Sequence, residues 1–357
     1  MPYQPRVLLV IADSSRTGGP EHVLTLAREL RAAGWQVAVA APPGDLVDRC
    51  QSLEVTSLPL GSSGRDLGLA PIRLRQLARR YHADLVHSHG LRAGWLVRRA
   101  RLRVPWVHTH HLDSWFTANP VRTAVHRREL RAIGRRARLQ IAVSQSVFEF
   151  VTETVGTPAG RVRVVPNGID PLRPRLRARP AGARVGVLAS LTPSKGVDLA
   201  LMALATPPGR ELSLVVGGQG PELQSLVDLA ERLQVAGRVD FVGPVTDRQR
   251  FFDSCDVVWV PSRAEPFGLV ACEAMSAGLP VVGTRVGGLP EILDPPRSGA
   301  LVAPANPTAL ASVTAALLRD GDRYRRLSEV GPERVRLRYS AARMAALTRG
   351  VYREVLD

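Results

Sequence analysis

The fold is decided by residues 256 to 284, whose sequence is DVVWVPSRAEPFGLVACEAMSAGLPVVGT. Asp256 to Ser262 is almost entirely apolar up to a proline, which is the pattern of a buried parallel strand that ends in a loop. The helix that follows stops at Gly278, and Pro280 to Thr284 begins another strand. A strand, a helix and a second strand in this order predict one unit of a parallel α/β sheet.

Two carboxylates lie around the start of this helix. Glu265 follows the carboxyl end of the first strand, where open α/β sheets bind their ligands, and Glu273 lies eight residues later. The start of the helix has unpaired N–H groups, which suit a phosphate. These groups are expected to be those of Phe267, Gly268, Leu269 and Val270. We expect Glu273 to reach the same crevice, where its carboxylate could accept hydrogen bonds from a ribose diol.

The alternation of strand and helix continues along the chain. It predicts the fold class α/β, with two Rossmann-like domains that are built on doubly wound parallel sheets and face a cleft. The strands predicted in the first half are Arg6–Ala12, Gln36–Ala41, Asp84–His87, Trp106–Thr109, Leu139–Val143 and Val162–Pro166. Those predicted in the second half are Arg184–Ala189, Leu212–Gly217, Val239–Val242, Asp256–Pro261, Pro280–Thr284 and Gly299–Val302. The length of 357 residues also favours two domains over a single core.

Composition favours a soluble cytoplasmic protein. The chain is 45% hydrophobic and has no apolar run near the length of a membrane span. The apolar run from Val7 to Ala12 is short and fits a first strand better than a secretory signal. Cys50, Cys255 and Cys272 are odd in number and lack metal-type spacing, so we expect reduced thiols.

Charge is unevenly distributed along the chain. Residues 1–178 have a net charge of +14, and residues 179–357 have a net charge of +2. The segment from Asp170 to Arg184 is rich in proline and arginine and is predicted to be the linker between the domains. The two halves therefore meet different partners.

The stretch EPFGLVACEAMSAGLPVVGTRVGGLPEIL, residues 265 to 293, resembles the donor-site signature of the family 4 retaining glycosyltransferases, which have the GT-B fold. The pair Glu-x7-Glu is weak evidence alone, but the Ala-Met-x-x-Gly-x-Pro-Val-Val and Gly-Gly-x-Pro-Glu runs that follow make it specific. The resemblance implies an acceptor-binding domain over residues 1–175 and a donor-binding domain over residues 176–338. It also implies that a last helix, residues 339–357, crosses back onto the first domain.

The resemblance implies a role for Lys195, the only lysine of the chain. The matching lysine of the family contacts the donor diphosphate, and a charge-assisted contact of this kind contributes about 1.5–3 kcal/mol. The chain departs from the family pattern five residues earlier, where Ser190 stands in place of the usual arginine. We therefore expect a weaker diphosphate site unless Arg263 or Arg285 replaces the missing cation.

The remaining site residues implied by the resemblance lie in both halves. Glu265 would hold hydroxyl groups of the transferred sugar rather than act as a nucleophile. Gly18 and Gly19 open a helix in a loop that resembles the family's phosphate-side GGxE loop. His111 lies six residues after Pro105, as in the family motif P-x-V-x-T-x-H, where the histidine bonds the 6-hydroxyl of the sugar.

No metal and no other cofactor is expected. The histidines that end two predicted strands are His87, His89, His108, His110 and His111. They lack the helical i, i+4 arrangement and a convergent carboxylate, so the sequence does not favour a metal site there. Asp320 and Asp322 form the only Asp-x-Asp and are predicted to lie in a polar turn rather than in a metal site.

The resemblance implies transfer of a hexosyl or N-acetylhexosaminyl group from a nucleotide sugar to an acceptor hydroxyl with retention of configuration. UDP is favoured as the nucleotide, with GDP as the second choice. The acceptor is left open between a sugar, a phosphorylated polyol, a lipid-linked intermediate and a natural-product aglycone.

Four other functions each have some support in the sequence. A nucleotide-sugar epimerase shares the GT-B architecture, but Glu-x7-Glu favours transfer. A nucleic-acid-binding protein would explain the charge, yet the chain has 17 aromatic residues and no recognisable binding module. The motif VVGGQGPE, residues 215–222, lacks the spacing of a dinucleotide fingerprint. A catalytically weak binding protein remains an alternative because of Ser190.

The stretch from Arg122 to Arg138 contains seven arginines and one glutamate. A helix over these residues would place arginines on one face and apolar residues on the other. The predicted basic face is Arg128, Arg131, Arg135 and Arg138, and the predicted apolar face is Leu130, Ile133, Ala137 and Ile141. Such a face suits an anionic acceptor or peripheral contact with the inner face of a membrane, and equally a solvated surface.

Overall fold

The structure, a computed structural model, describes residues 4–15, 17–60, 69–112, 119–176 and 180–357. Residues 177–179 of the predicted linker and Arg16 of the first glycine loop lie outside the described residues. The chain divides into two compact units. Unit 1 comprises residues 1–168 and 341–357, and unit 2 comprises residues 169–340.

Unit 1 is built on a parallel sheet of seven strands within the described residues, in the order β3-β2-β1-β4-β5-β6-β7. The strands are β1 (Arg6–Ile11), β2 (Gln36–Ala41), β3 (Thr56–Pro59), β4 (Leu85–His89), β5 (Trp106–His110), β6 (Leu139–Ala142) and β7 (Val162–Val164). The helices between them are α1 (Gly18–Ala32), α2 (Asp45–Ser52), α3 (Ala70–Arg80), α4 (Gly90–Ala100), α5 (Pro120–Arg136) and α6 (Gln145–Glu149), which continues as a π-helical turn (Phe150–Val155).

Unit 2 repeats this design with six parallel strands in its described part, in the order β10-β9-β8-β11-β12-β13. The strands are β8 (Arg184–Leu188), β9 (Ser213–Gly217), β10 (Val239–Gly243), β11 (Val257–Val260), β12 (Val281–Thr284) and β13 (Ala300–Val302). The helices are α7 (Val197–Ala205), α8 (Leu223–Arg232), α9 (Arg248–Asp253), α10 (Leu269–Ser276), α11 (Leu289–Leu293), α12 (Pro307–Arg319) and α13 (Gly321–Arg338). Short 3-10 turns cover Ala159–Arg161 in unit 1 and Pro193–Lys195, Pro207–Gly209 and Ala236–Arg238 in unit 2.

The last helix, α14 (Ala341–Leu356), belongs to unit 1. It packs against α1, and its Tyr352 is fully buried in the core of that unit. The Tyr352 hydroxyl lies 2.6 Å from Nδ1 of His87 on β4. The chain therefore leaves unit 1 after Gly168 and returns to it to complete its core.

Strands β1 and β2 of unit 1 are buried on both faces, as expected for a parallel sheet that is covered by helices. Strands β1 and β2 have a single partly exposed or exposed residue each, at their first positions. The predicted α/β class and the twelve predicted strands are confirmed. Strand β3 was not predicted; it lies at the edge of the sheet, where it pairs with β2 alone.

The arginine-rich helix is shorter than the pattern predicted. Helix α5 ends at Arg136, so Ala137 and Arg138 lie beyond it and Ile141 lies in β6. The prediction that these three residues share the helix faces is wrong. The apolar period continued past the helix only because the next strand is buried as well. No helix in the described part of the chain is long and apolar enough to cross a membrane.

The motif VVGGQGPE connects the loop after β9 to the loop after β8 rather than forming a dinucleotide-binding turn. The Leu191 N–H donates to the Gln219 carbonyl at 2.9 Å, and the Glu222 N–H donates to the Leu191 carbonyl at 3.1 Å. Gly218 has a φ of +130°, and a Cβ there would lie 1.8 Å from the Ala189 carbonyl oxygen. The glycine therefore lets the β9 loop contact the backbone of the β8 loop directly.

Replacing this glycine tests the contact. We expect Gly218→Ala to lower the free energy of unfolding by about 2–4 kcal/mol, since it combines backbone strain with a steric clash. Urea unfolding measures the change. Gly237→Ala is the matched control, because a Cβ there meets nothing within 4 Å; its effect should stay within about 0.5 kcal/mol. Equal effects of the two substitutions would contradict the assigned contact.

Candidate functional site

The candidate site of unit 2 lies where the strand order reverses. Strands β8 and β11 are neighbours in the sheet, and the chain leaves β8 toward β9 on its other side. In open α/β sheets such a reversal leaves a crevice at the carboxyl ends of the strands, where ligands bind. Lys195 follows β8, and Glu265 follows β11.

Backbone contacts hold the Lys195 loop against the loop that follows β11. The Ser194 carbonyl accepts hydrogen bonds from the N–H groups of Arg263 at 2.8 Å and Ala264 at 3.3 Å. Gly196, with a φ of +66°, closes the turn, and a Cβ there would lie 2.1 Å from the Pro261 carbonyl oxygen. The position of Lys195 is therefore set by backbone rather than by its own side chain.

This packing pairs Lys195 with Glu265. The Lys195 Nζ lies 2.7 Å from Oε2 of Glu265, and the Ser262 hydroxyl donates to the same oxygen at 3.2 Å. Only 27% of the lysine side chain and 13% of the glutamate side chain are exposed. A partly buried ammonium beside a carboxylate can bind an anionic group and a hydroxyl-bearing group at adjacent positions.

The loop between Glu265 and α10 is fixed from its other side by the glycine pair before α11. The Gly288 N–H donates to the Glu265 carbonyl at 2.9 Å, and a Cβ at Gly288 would lie 2.7 Å from the Phe267 carbonyl oxygen. Gly268 precedes α10 with a φ of +117°, and Leu269 and Val270 begin the helix. Their N–H groups belong to the first turn, which has no internal acceptors.

Phe267 contributes to this loop through its backbone and to the core through its ring. The ring is 5% exposed and packs edge-on against Tyr339, with centroids 5.7 Å apart. The predicted phosphate-side role therefore falls on the backbone of residues 267–270 alone. Replacement of Phe267 by a smaller residue would destabilise the core before it weakened ligand binding.

Glu273 has an ion-pair partner that the sequence did not indicate. Its side chain, 14% exposed in α10, forms an ion pair with Arg248 at the start of α9. The two residues are 25 positions apart, and no short motif connects them. Each oxygen of an ionised carboxylate can accept more than one hydrogen bond.

Ser190 lies exposed in the loop after β8, and the structure gives the two candidate replacement cations different surroundings. Arg263 forms two contacts with Asp198, at 2.6 and 2.7 Å, and donates to the Pro193 carbonyl at 2.9 Å. The Asp198 carboxylate raises the pKa of Arg263. Arg263 therefore braces the Lys195 turn, whereas Arg285 lies exposed after β12.

Unit 1 has its own reversal point, between β1 and β4. Gly18 and Gly19 form the first turn of α1, which follows β1. Glu21, the acidic residue of the GGxE resemblance, is held by Arg49, whose Nη2 lies 2.9 Å from Oε2. The glycine turn thus lies at the carboxyl edge of the sheet, and its glutamate is used to join α1 to α2.

His111 follows β5 at the same edge. Its ring centroid lies 5.0 Å from that of His22 on α1 and 5.7 Å from that of His89. Burial lowers the pKa of His111 well below its usual range, so the imidazole is neutral near pH 7. A neutral ring can orient a hydroxyl but supplies no charge. The sequence pattern did not indicate that His22 would join this cluster.

Asp320 and Asp322 both have structural partners. The Asp320 side chain accepts a hydrogen bond from the Arg323 N–H at 2.9 Å and so caps α13. Asp322 pairs with Arg325 at 2.8 Å on the surface. Asp320 lies between α12 and α13 as predicted, but the prediction of a turn is wrong for Asp322, which belongs to the first turn of α13.

Two family models match the chain. The model described as Glycosyltransferase Family 4 matches residues 16–173, and the model described as Glycosyl transferases group 1 matches residues 170–334. Among solved structures, Anabaena Alr3699/HepE in complex with UDP and glucose is similar, with a TM-score of 0.85 and 22% identity over 97% of this chain and 98% of that chain. This similarity supports the GT-B fold.

Curated relatives agree with the family models. The D-inositol 3-phosphate glycosyltransferase of Mycobacterium marinum is 34% identical over 67% of this chain, and the match spans 56% of the relative's length. The D-inositol 3-phosphate glycosyltransferase 2 of Catenulispora acidiphila is 31% identical over 94% of this chain and 90% of its own length. The first three relatives are matched over only 56–63% of their length. Together these matches show that the chain belongs to the family 4 glycosyltransferases, in the group 1 glycosyl transferases.

Proposed function

We propose that this glycosyltransferase moves a hexosyl or N-acetylhexosaminyl group from a nucleotide sugar, with UDP as the favoured nucleotide, to a hydroxyl of an anionic acceptor. Transfer retains the anomeric configuration and requires no metal. The observation that carries the proposal is the Lys195–Glu265 pair at the reversal point of unit 2, with Glu273 on the adjoining helix.

Different residues of unit 2 bind different parts of the donor. Lys195 binds the diphosphate together with the N–H groups that begin α10, so negative charge meets both an ammonium and a helix start. Glu265 accepts hydrogen bonds from sugar hydroxyls. Glu273 accepts hydrogen bonds from the ribose, and Arg248 holds its carboxylate in place.

The reaction needs no protein nucleophile. The bond between the anomeric carbon and the leaving phosphate oxygen breaks, and the acceptor oxygen forms a new bond to the same face of that carbon. The acceptor proton passes to the leaving phosphate. Lys195 and the helix start stabilise the charge that develops on the phosphate, and such electrostatic contacts are commonly the largest catalytic contribution. His111 orients the sugar as a neutral hydrogen-bonding group.

The acceptor is proposed to be a phosphorylated polyol. The net charge of +14 on residues 1–178 favours an anionic substrate. Relatives over most of the chain are named for D-inositol 3-phosphate. A second candidate function, nucleotide-sugar binding with little turnover, is favoured by one observation: Ser190 provides no positive charge where the family has arginine.

Nucleotide binding provides the first test. In a thermal-shift panel of UDP, GDP, ADP and TDP, we expect UDP to raise the melting temperature most. Lys195→Met should weaken UDP binding about tenfold to hundredfold, because it removes one charge-assisted contact. Arg325→Met, which changes an exposed ion pair of the same unit, is the control and should leave binding unchanged. Absence of a shift with every nucleotide would contradict the donor site.

Turnover separates the two candidate functions. We expect Glu265→Gln to bind UDP nearly as well as the unsubstituted protein and to lose transfer at least about a hundredfold, since the hydroxyl groups of the transferred sugar lose the carboxylate that holds them. Transfer from UDP-glucose to inositol phosphate should form a product with the donor's anomeric configuration by proton NMR, and EDTA should not lower the rate. UDP binding without transfer to any acceptor, in the unsubstituted protein, would favour the binding protein.

The positive charge of helix α5 favours a second contact of this protein, with an anionic surface. Val121 and Val125 lie one turn apart, and 71% and 54% of their surfaces are exposed. Arg122, Arg128 and Arg135 are exposed on the same helix. Exposed apolar side chains beside cations suit an anionic lipid surface. We propose that α5 brings the enzyme to such a surface.

Vesicle sedimentation tests this surface. The protein should sediment with anionic vesicles at low ionic strength and less at high ionic strength, because salt screens the arginines. Val125→Asp should reduce sedimentation. Val242→Asp, at an exposed valine of unit 2, is the matched control and should not. Failure of the unsubstituted protein to bind anionic vesicles at low salt would reject the membrane contact and leave the donor site untouched.

A further inference from the structure

Unit 1 gathers a cluster of buried histidines at the carboxyl edge of its central strands. Strands β1, β4 and β5 are adjacent, with Ile11 opposite His89 and His89 opposite Thr109. The cluster consists of residues on α1, on β4 and β5, and directly after β5, namely His22, His87, His89, His108, His110 and His111. Five of the six are at most 4% exposed, and His111 is partly exposed.

Three of these histidines have structural partners. His87 lies 2.6 Å from the Tyr352 hydroxyl through Nδ1 and 2.6 Å from the Thr109 hydroxyl through Nε2. His110 lies 2.7 Å from the Gln140 side-chain oxygen, and Nδ1 of His108 lies 2.7 Å from the Ser88 hydroxyl. These contacts hold the three rings in the core, although Nε2 of His108 is also buried without a hydrogen-bond partner in the described part of the chain.

The other three histidines share a different property. Both ring nitrogens of His22 and of His89, and Nε2 of His111, are buried without a hydrogen bond of good geometry in the described part of the chain, and the Asn167 side chain interacts with His22. A buried polar atom left unsatisfied costs roughly 1–3 kcal/mol. A neutral imidazole has one nitrogen with a lone pair and one N–H, so the three rings can offer three lone pairs to a ligand.

The three rings are close enough to converge on a single ion. One nitrogen from each lies within 4.8 Å of the others. A tetrahedral zinc ion with Zn–N bonds of about 2.0–2.1 Å would need nitrogens about 3.4 Å apart. Side-chain rotation of the order of an ångström on each ring would supply that geometry.

We propose that His22, His89 and His111 form a binding site for a divalent transition-metal ion, with zinc as the best match. Three imidazoles with a fourth position open is a common zinc arrangement. The all-nitrogen ligand set also selects zinc, cobalt, nickel or copper over magnesium and calcium, which prefer oxygen ligands. The sequence did not indicate the site, because His22 is far from the strand histidines along the chain.

The ion would act as an inhibitor of transfer rather than as a cofactor. His111 is the residue proposed above to orient the transferred sugar, and a ring bound to a metal cannot also bond a hydroxyl through the same nitrogen. This consequence rests on the proposed function, whereas binding of the ion does not. The two are measured separately.

Zinc binding is tested on protein treated with a chelator and then freed of it, in the absence of any nucleotide. Isothermal titration should show one zinc ion per chain, and cobalt should produce the strong visible absorption of a tetrahedral complex. His22→Gln and His89→Gln should each weaken zinc binding by more than roughly tenfold to hundredfold. That range is the cost of losing a residue that only hydrogen-bonds to a metal ligand, and a lost ligand costs more. Circular dichroism establishes that the variants are folded.

Two controls separate the site from general damage. His126→Gln removes a histidine on α5 away from the cluster, and His110→Gln changes a buried histidine that already bonds Gln140. Both should bind zinc as the unsubstituted protein does. Zinc binding retained by both His22→Gln and His89→Gln, or no zinc binding by the folded unsubstituted protein, overturns the proposal.

Transfer assays then test the inhibition. Zinc should lower transfer by the unsubstituted protein and by His126→Gln, and His22→Gln should lose this sensitivity. An enzyme that binds zinc at the cluster without loss of transfer would overturn the inhibitory role. If no transfer is found at all, the proposed function fails, and the titrations still decide the metal site.

Discussion

Both units depend on one constraint, which is that parallel strands must be covered by helices on both faces. Every connection after a strand then emerges at the same edge of the sheet, and ligand-binding loops can form only there. In each unit the strand order reverses once beside the first strand, between β1 and β4 and between β8 and β11. The two sets of residues with unusual chemistry, the histidine cluster and the Lys195–Glu265 pair, both lie at these reversal points.

Glycine determines how closely the loops at these edges approach one another. At Gly196, Gly218 and Gly288 the neighbouring backbone leaves no space for a Cβ, so three separate loops of unit 2 contact main chain to main chain. These contacts place Lys195 and Glu265 without help from a ligand. Preformed positions reduce the entropy that binding must offset.

Cations in unit 2 have distinct tasks despite their similar chemistry. Arg263 is committed to Asp198 and supports a turn, whereas Arg248 holds a carboxylate that is proposed to contact the donor. Lys195 is positioned by backbone and pairs with a single carboxylate. Whether a cation supports the fold or binds a ligand depends on its position relative to the sheet edge and not on its type of charge. Arginines near Ser190 therefore do not replace the missing cation by their number alone.

The amino-acid sequence by itself determined the elements whose signal is local. Mostly apolar runs of four to seven residues predicted twelve of the thirteen described strands, and the motifs within residues 265–293 indicated the family. Strand β3 was not predicted because Thr56–Pro59 is short, partly exposed and contains a proline, which an edge strand tolerates. Ala137, Arg138 and Ile141 were misplaced because a buried strand continues the apolar pattern of the helix before it.

Only the tertiary structure decided which side chains meet. The pairs Glu273–Arg248 and His22–His89 join residues that are 25 and 67 positions apart, and the loops between them follow the order of strands in the sheet rather than any repeat in the sequence. Periodicity reports whether a residue is buried, because burial depends on its own face of a helix or strand. Contact between distant residues depends on strand order and on backbone approach at glycine. Those are properties of the folded chain.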